Sequence, residues 1–523
     1  MSLLESASES LSESATESAM RSAPARSGGG CPFPHEQLRA QIGEQAYASM
    51  LAAHAAMQAE AMQAESTAVV DASSSGPTES IPLTTPVTQS DAPEEPAEEP
   101  KPAPPADLTV YYDPLSYAVY DHPYDTYKRL RDAAPVYYNP DRELYVVSRY
   151  ADVRAGLANH EQLVNGLGND MDGTHDSYGE GILVAQDPPR HTNLRQAVRR
   201  TFAAREILAR EDGTRAFAQK LLAEMYAKGS GDFASDFALP MSIGMGISLI
   251  GSPAEDNEVI VEHLWRAMAR TVGKFGIPED AAVANQETEE LLAMRFAARR
   301  AEIEAGADTS TSDAYTQILL ASQKGKVFDS EQDGLAHLVL SAASDAPAAL
   351  LTNIVYVLDK FPKLWSFLRE NPARIKDFVE ETLRYETPGQ NLTRQTTEEI
   401  EIGGVTIPAD RRVMFLQGSA NRDERVYADP DVFDIDREFT PKNRSMSFGE
   451  GIHACMGAPF ARLAAKITVE ELLKGPDLTI VGSPERWIKQ MVRGFSKLPV
   501  EFREPGAPVP HQHFTLAKLH GQH

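Results

Sequence analysis

The stretch SFGEGIHACMGAPFARLAA, residues 447–465, holds Cys455, one of two cysteines in a chain of 523 residues. Glycines at 449, 451 and 457 crowd the thiol, and His453 lies two residues before it. An Ala/Leu/Arg pattern of helical spacing follows at once. Glycine permits positive φ and close backbone approach. A helix starting just after the cysteine aims its free N–H groups and positive dipole end at the sulfur, and both favour thiolate over thiol. A thiolate held this way is a nucleophile or a metal ligand. A nucleophile needs an oriented base, and no third residue that orients His453 is evident. Tetrahedral zinc needs further Cys or His ligands at suitable spacing, which this sequence lacks. One soft ligand alone suits an iron that already has four ligands from a macrocycle. Burial is the commoner fate of a free cysteine, so the thiol needs support from the rest of the chain.

Composition divides the chain. Residues 1–107 carry 4 basic residues (Arg21, Arg26, Arg39, Lys101) against 16 acidic ones, in a chain of formal net charge −26. Ser, Ala, Pro and Glu dominate there. Prolines remove backbone donors and acids repel one another, so an extended N-terminal extension without a core is expected. Within it, the Ala-rich segment 36–65 predicts a transient helix. An acidic chain suits nucleic acid poorly. The sequence shows no run of about 20 apolar residues, and its N-terminus lacks a basic-then-apolar leader pattern. The expectation is a cytoplasmic monomer with no membrane association. Cys31 in the extension and Cys455 in the body do not suggest a disulfide.

From 108 to 503 the pattern is globular, with 504–523 as a C-terminal tail. HPYDTYKRLRDAAPVYYNP reads as a helix closed by a proline turn, and ELYVVSRY as a strand. The glycine-rich stretch from Gln162 to His191 reads as a long loop. Residues from Glu331 to Pro362 read as one long central helix. In NPARIKDFVEETLRYETP, Asn371 is the expected N-cap with Pro372 at the first helical position. TEEIEIGGVTIPADRRVMFLQ alternates as strands about a Gly403-Gly404 turn. The fold class expected is mainly α with small β-sheets (α+β).

The spacing of Phe448, Gly451, His453, Cys455 and Gly457 resembles the haem-binding loop of the cytochrome P450 haem-thiolate monooxygenases. Other pieces agree in order. ETLR resembles the family's Glu-x-x-Arg helix, which makes Glu381 and Arg384 a buried pair reaching Arg437 in FDIDREF. RHTNLR places His191 and Arg195 one turn apart, like the family's propionate-binding pair; Arg394 and His453 resemble the other propionate contacts. Two carboxylates in an apolar pocket need such cations. The resemblance, which spans about residues 108–503, implies the P450 fold, with haem b between the long central helix and the cysteine-loop helix. It implies Cys455 as axial ligand of the iron, with Phe448, Gly449, His453 and Gly457 in the cofactor loop. The missing membrane anchor resembles the soluble bacterial type.

One segment departs from the family. The central helix reads SAASDAPAAL, so Ala346 stands where the family has threonine, and Pro347 follows. Proline deprives the carbonyl of Ala343 of its donor and kinks the helix. Splitting dioxygen needs protons, and Asp345 would deliver them only through water or a substrate hydroxyl. The resemblance implies insertion of one oxygen atom of O2 into a small organic substrate. Electrons would come from a ferredoxin and an NAD(P)H-dependent reductase. Because of Ala346, a peroxide-driven or non-oxygenating haem enzyme stays open, as does a haem-binding scaffold that recruits a partner. Lys442, Arg444, Arg462 and Lys466 against Glu450 suggest a basic dock for ferredoxin. Substrate walls are expected from 162–181, 239–267 and 388–392, with Gln390 and Asn391 as polar contacts.

Overall fold

The computed structural model describes residues 110–504, apart from 167–170, 172–179, 272–273 and 275. The expected helix at 36–65, Cys31, most of the 162–181 wall and residues 505–523 lie outside the described residues.

The run expected as one central helix is two, Gln332–Ser341 and Asp345–Lys360, joined by a turn at 342–344. Pro347 is the physical cause, since it supplies no N–H to the turn before it. In the second half every residue from Ala348 to Leu358 is buried, as befits a helix through the middle of a core. The run Asp329–Lys360 is long and apolar enough to cross a membrane, yet its apolar part is mostly buried inside the protein. It is the core helix of this fold.

The helices Leu239–Ile250, Ile375–Tyr385 and Ala458–Leu472 pack around it. Leu239–Ile250 interrupts an apolar sequence with Ser242, Gly244 and Gly246. The approach there is close: a Cβ on Gly246 would lie 2.9 Å from the Cβ of Ala343. Asn371 does not cap the helix that follows. Its amide donates back to the Phe367 carbonyl, and a 3₁₀ turn at Pro372–Arg374 precedes Ile375–Tyr385.

The main sheet has five strands, in the spatial order Val136–Asn139, Leu144–Val147, Arg412–Phe415, Leu392–Thr396, Leu163–Val164. Leu144–Val147 runs parallel to Arg412–Phe415, and the other pairings are antiparallel. Arg394 sits opposite Val413 on an interior strand. The first strand, just after Pro135, is one that the sequence reading missed. The expected hairpin is present, Ile400–Ile402 with Val405–Ile407. Gly403 and Gly404 have φ of 56° and 81°, the consecutive positive values that a tight two-residue turn demands.

Candidate active site around Cys455

The cysteine loop is closed by its own backbone: the Cys455 N–H donates to the Phe448 carbonyl at 2.9 Å. Gly449 and Gly451 have φ of 70° and 72°. At Gly451 a Cβ would also lie 2.9 Å from the Cα of Ala158, so no side chain fits. Gly457 has an ordinary φ of −78°, and the expectation of positive φ does not extend to it. The helix Ala458–Leu472 starts immediately afterwards, with Pro459 in its first turn. The Arg462 guanidinium lies 4.5 Å over the Phe448 ring.

Burial pushes the Cys455 thiol above its ordinary 9.0, against the N–H groups of Gly457 and Ala458 and the charge of Arg195. The expected standing thiolate is therefore not supplied by the protein alone; a coordinating cation deprotonates a thiol outright. Although enclosed by protein, Cys455 is accessible to solvent, so its sulfur faces an internal hollow.

Four basic side chains converge beside it. His191 and Arg195 lie on the helix Arg190–Val198, and the Arg195 Nη2 donates to the Ala454 carbonyl at 2.8 Å. The rings of His191 and His453 stand 4.2 Å apart. Both imidazoles have a buried Nε2 without a partner. Burial, then Arg394, His191 and Arg195, holds His453 down to about 2. Burial and Arg195 hold His191 at about 4. Arg394 is 2% exposed, and its guanidinium donates to the Thr393 carbonyl. Burial lowers it to about 10, with Asp187 as the opposing charge. A buried cluster of mutually repelling donors, two of them orphaned, is a receptor for anionic oxygen.

Glu381 and Arg384 form a fully buried pair, bonded through both carboxylate oxygens at 2.6 and 2.8 Å. Arg437 reaches Glu381 at 3.3 Å. Arg384 also donates to the Asn421 carbonyl. Asn421 in turn accepts the Met446 N–H and donates to Ser447, so the pair braces the start of the cysteine loop.

At the break in the central helix, Ala342 is exposed while Ala343 and Ser344 are buried. The core helix is thus accessible at this residue. Asp345 is half-buried; its Oδ1 accepts the Ala346 N–H at 2.7 Å, and its Oδ2 pairs with Lys489.

A family model for cytochrome P450 matches residues 374–501. Cytochrome P450 130 of Mycobacterium tuberculosis is 30% identical over 385 residues, covering 70% of this chain and 91% of that protein. Erythromycin C-12 hydroxylase of Saccharopolyspora erythraea is 33% identical over 382 residues, 71% of this chain and 92% of that one. The chain belongs to the cytochrome P450 family. The structure of a P450 from Chondromyces apiculatus agrees, with TM-score 0.66 and 28% identity, covering 76% of this chain and 99% of that one. The protein is thus an oxidoreductase of the monooxygenase type, in a family whose haem iron is thiolate-ligated. Its residues fit that group: an accessible sulfur at a helix start lies beside orphaned donors suited to two propionates.

Two expectations about this P450 need correction. Of the cations expected to form a bare basic dock, three are already paired. Arg444 bonds Glu450, Arg462 bonds Glu380, and Lys466 bonds Glu211 and Glu470. Gln390 is also committed, accepting from the Tyr127 hydroxyl at 3.0 Å and donating to the Thr387 carbonyl at 2.6 Å. Asn391 keeps a buried Oδ1 without a partner, and so do both amide atoms of Gln490. Sequence reasoning missed Lys489 and Ser242. Nothing local marks Lys489 in WIKQMVRG, whereas a buried serine beside glycines among apolar residues in LPMSIGMGISLI is a sign of close helix packing.

Proposed function

We propose that this P450 binds haem b through the Cys455 sulfur and inserts one atom of O2 into a small organic substrate. In this reading His191, Arg195, Arg394 and His453 take the two propionates. The observation that carries it is the convergence of those side chains, with two orphaned imidazole nitrogens, beside an enclosed yet accessible thiol. Phe448, Gly449 and Gly457 shape the loop, while Glu381, Arg384 and Arg437 brace it. When bound, the haem supplies dioxygen activation, with electron density from the thiolate favouring O–O cleavage.

The chain's own residues manage protons and substrate. Lys489 and Asp345 hold a proton at the hollow, the ammonium as acid and the carboxylate as its acceptor. Ala346 offers no hydroxyl, so the proton passes to the site through water or a hydroxyl of the substrate. Asn391 and Gln490 present buried amide atoms for a polar group on that substrate. The relative named as an erythromycin C-12 hydroxylase supports hydroxylation as the reaction class. Electrons come from a ferredoxin and its NAD(P)H-dependent reductase in the cytoplasm. Docking there exchanges existing ion pairs on the cysteine-loop face for intermolecular ones.

The test is the spectrum of the reduced carbon-monoxide complex, with haem content, for wild type and Cys455→Ser. Wild type should show the thiolate signature and the variant should lose it, because a hydroxyl is a weak neutral ligand. An unchanged spectrum in the variant sinks the assignment. A peroxide-driven reading has one observation in its favour, the engagement of both Asp345 oxygens next to a residue with no hydroxyl. Turnover with ferredoxin and reductant, with peroxide, and with neither separates the two.

A further inference from the structure

A proline inside a helix leaves the carbonyl four residues back without its donor. Pro347 does this to Ala343. That carbonyl is not left orphaned: the Ser242 hydroxyl, on the neighbouring helix Leu239–Ile250, donates to it at 2.6 Å. Ser242 is 1% exposed and Ala343 6%, so water does not compete for the bond. One turn along the same helix, Gly246 leaves the space that the Ala343 methyl occupies. Residues four apart share a helix face, so Ser242 and Gly246 grip the same residue, one by its carbonyl and the other by its Cβ.

The neighbouring carbonyl has the opposite fate. In an unbroken helix the Ala346 N–H would bond Ala342, but here it bonds the Asp345 carboxylate. No donor among the described residues reaches the Ala342 carbonyl, and Ala342 is exposed. The break therefore frees two carbonyls. One is capped from outside the helix, and the other is left accessible.

Resting on the reading that haem sits between this break and Cys455, we propose that Ser242 is a positioning residue for oxygen activation. By capping Ala343 it fixes the rotation of the turn at 342–344. The Ala342 carbonyl and the Asp345 side chain are thereby presented to the hollow in one arrangement. Ser242 and Pro347 act as one device, because the hydroxyl is needed only where the proline has removed the amide.

The device is tested with Ser242→Ala, Pro347→Ala and the double variant as haem-loaded proteins. Ser242→Ala strands a buried carbonyl and should lower the melting temperature by about 1–4 °C. In the Pro347→Ala background, where an amide again serves Ala343, most of that loss should vanish. The stretching frequency of carbon monoxide on the reduced iron reads the polarity facing it. It should shift in Ser242→Ala and shift back in the double variant, with product per reduced nicotinamide falling and recovering in parallel. Equal melting losses in both backgrounds overturn the device. A wild-type carbonyl spectrum and coupling in fully loaded Ser242→Ala overturn the positioning role. Failure of the underlying haem assignment shows differently, as a wild-type chain without the thiolate signature. That result would remove the role in oxygen activation and leave the melting comparison to decide the cap.

Discussion

Replacing Glu381 by alanine should cost the protein a large share of its stability. Glu381 and Arg384 have side chains 0% exposed. The Oε1 of Glu381 accepts from Arg384 at 2.6 Å, from the Asp434 N–H at 2.9 Å and from Arg437 at 3.3 Å, and Oε2 accepts from Arg384 at 2.8 Å. Without the carboxylate, Arg384 keeps bonds to the carbonyls of Asn421, Pro430 and Val432. Those are dipoles, and a buried guanidinium is left without a counter-charge. Removing one partner of a buried pair costs about 3–5 kcal/mol, where an exposed pair is worth about 0–1 kcal/mol. Set against a total of about 5–15 kcal/mol, the loss is a fifth or more of the stability. Urea denaturation of wild type, Glu381→Ala, Glu381→Gln and the double variant Glu381→Leu/Arg384→Leu measures it. Glu381→Gln keeps an acceptor oxygen and should lose less; the double variant leaves no unpaired charge and should lose less than the sum of its single changes. Haem content should fall with stability, because Arg384 reaches the cysteine loop through Asn421. A Glu381→Ala protein within about 1 kcal/mol of wild type, with normal haem content, would refute the reasoning.

Acid should weaken the fold through His337, which burial holds at about 4 against an ordinary 6.5. The unfolded chain binds the proton first, so stability is fully present above about pH 6.5 and declines towards pH 4. The slope is at most about 1.4 kcal/mol per pH unit, and denaturation curves of His337→Leu over this range should be flatter. Lys489→Met should lower product per reduced nicotinamide at unchanged haem content, and Lys489→Arg should not restore it, because a guanidinium keeps the charge but does not give up a proton; equal coupling in all three proteins removes the pair from proton delivery. Ala346→Thr should raise coupling on substrates that lack a hydroxyl. Tight coupling of wild type on every substrate would show that the missing hydroxyl is already compensated.

The cysteine loop was legible because its closing bond, its two strained glycines and its helix start lie within a dozen residues. Glu381 and Arg384 were legible for the same reason, being three apart on one helix face. Lys489 and Ser242 were not: their partners Asp345 and Ala343 are 144 and 101 residues away, and no local periodicity records such meetings. The basic dock was misread by the same blindness to distance. Arg462 is neutralised by Glu380 and Lys466 by Glu211, each from a helix far off in sequence. Pro347 announced a kink, but where the turn would fall depended on the Asp345 carboxylate taking the Ala346 amide.

The parallel pairing of Leu144–Val147 with Arg412–Phe415 has a consequence for how the molecule is made. In that register, 268 residues separate Leu144 from its partner Arg412. At about 5–20 residues per second, a ribosome needs roughly 15–50 s to bridge that gap. For that time the hairpin of Val136–Asn139 with Leu144–Val147 carries an open edge, and a lone hairpin is marginal in water. The apolar helix Asp345–Lys360 emerges before the helix Ala458–Leu472 that covers it. The nascent chain therefore presents both a sticky strand edge and a sticky helix before any cofactor pocket exists. Such a chain is a client for chaperones during synthesis, and haem loading belongs after release of the chain.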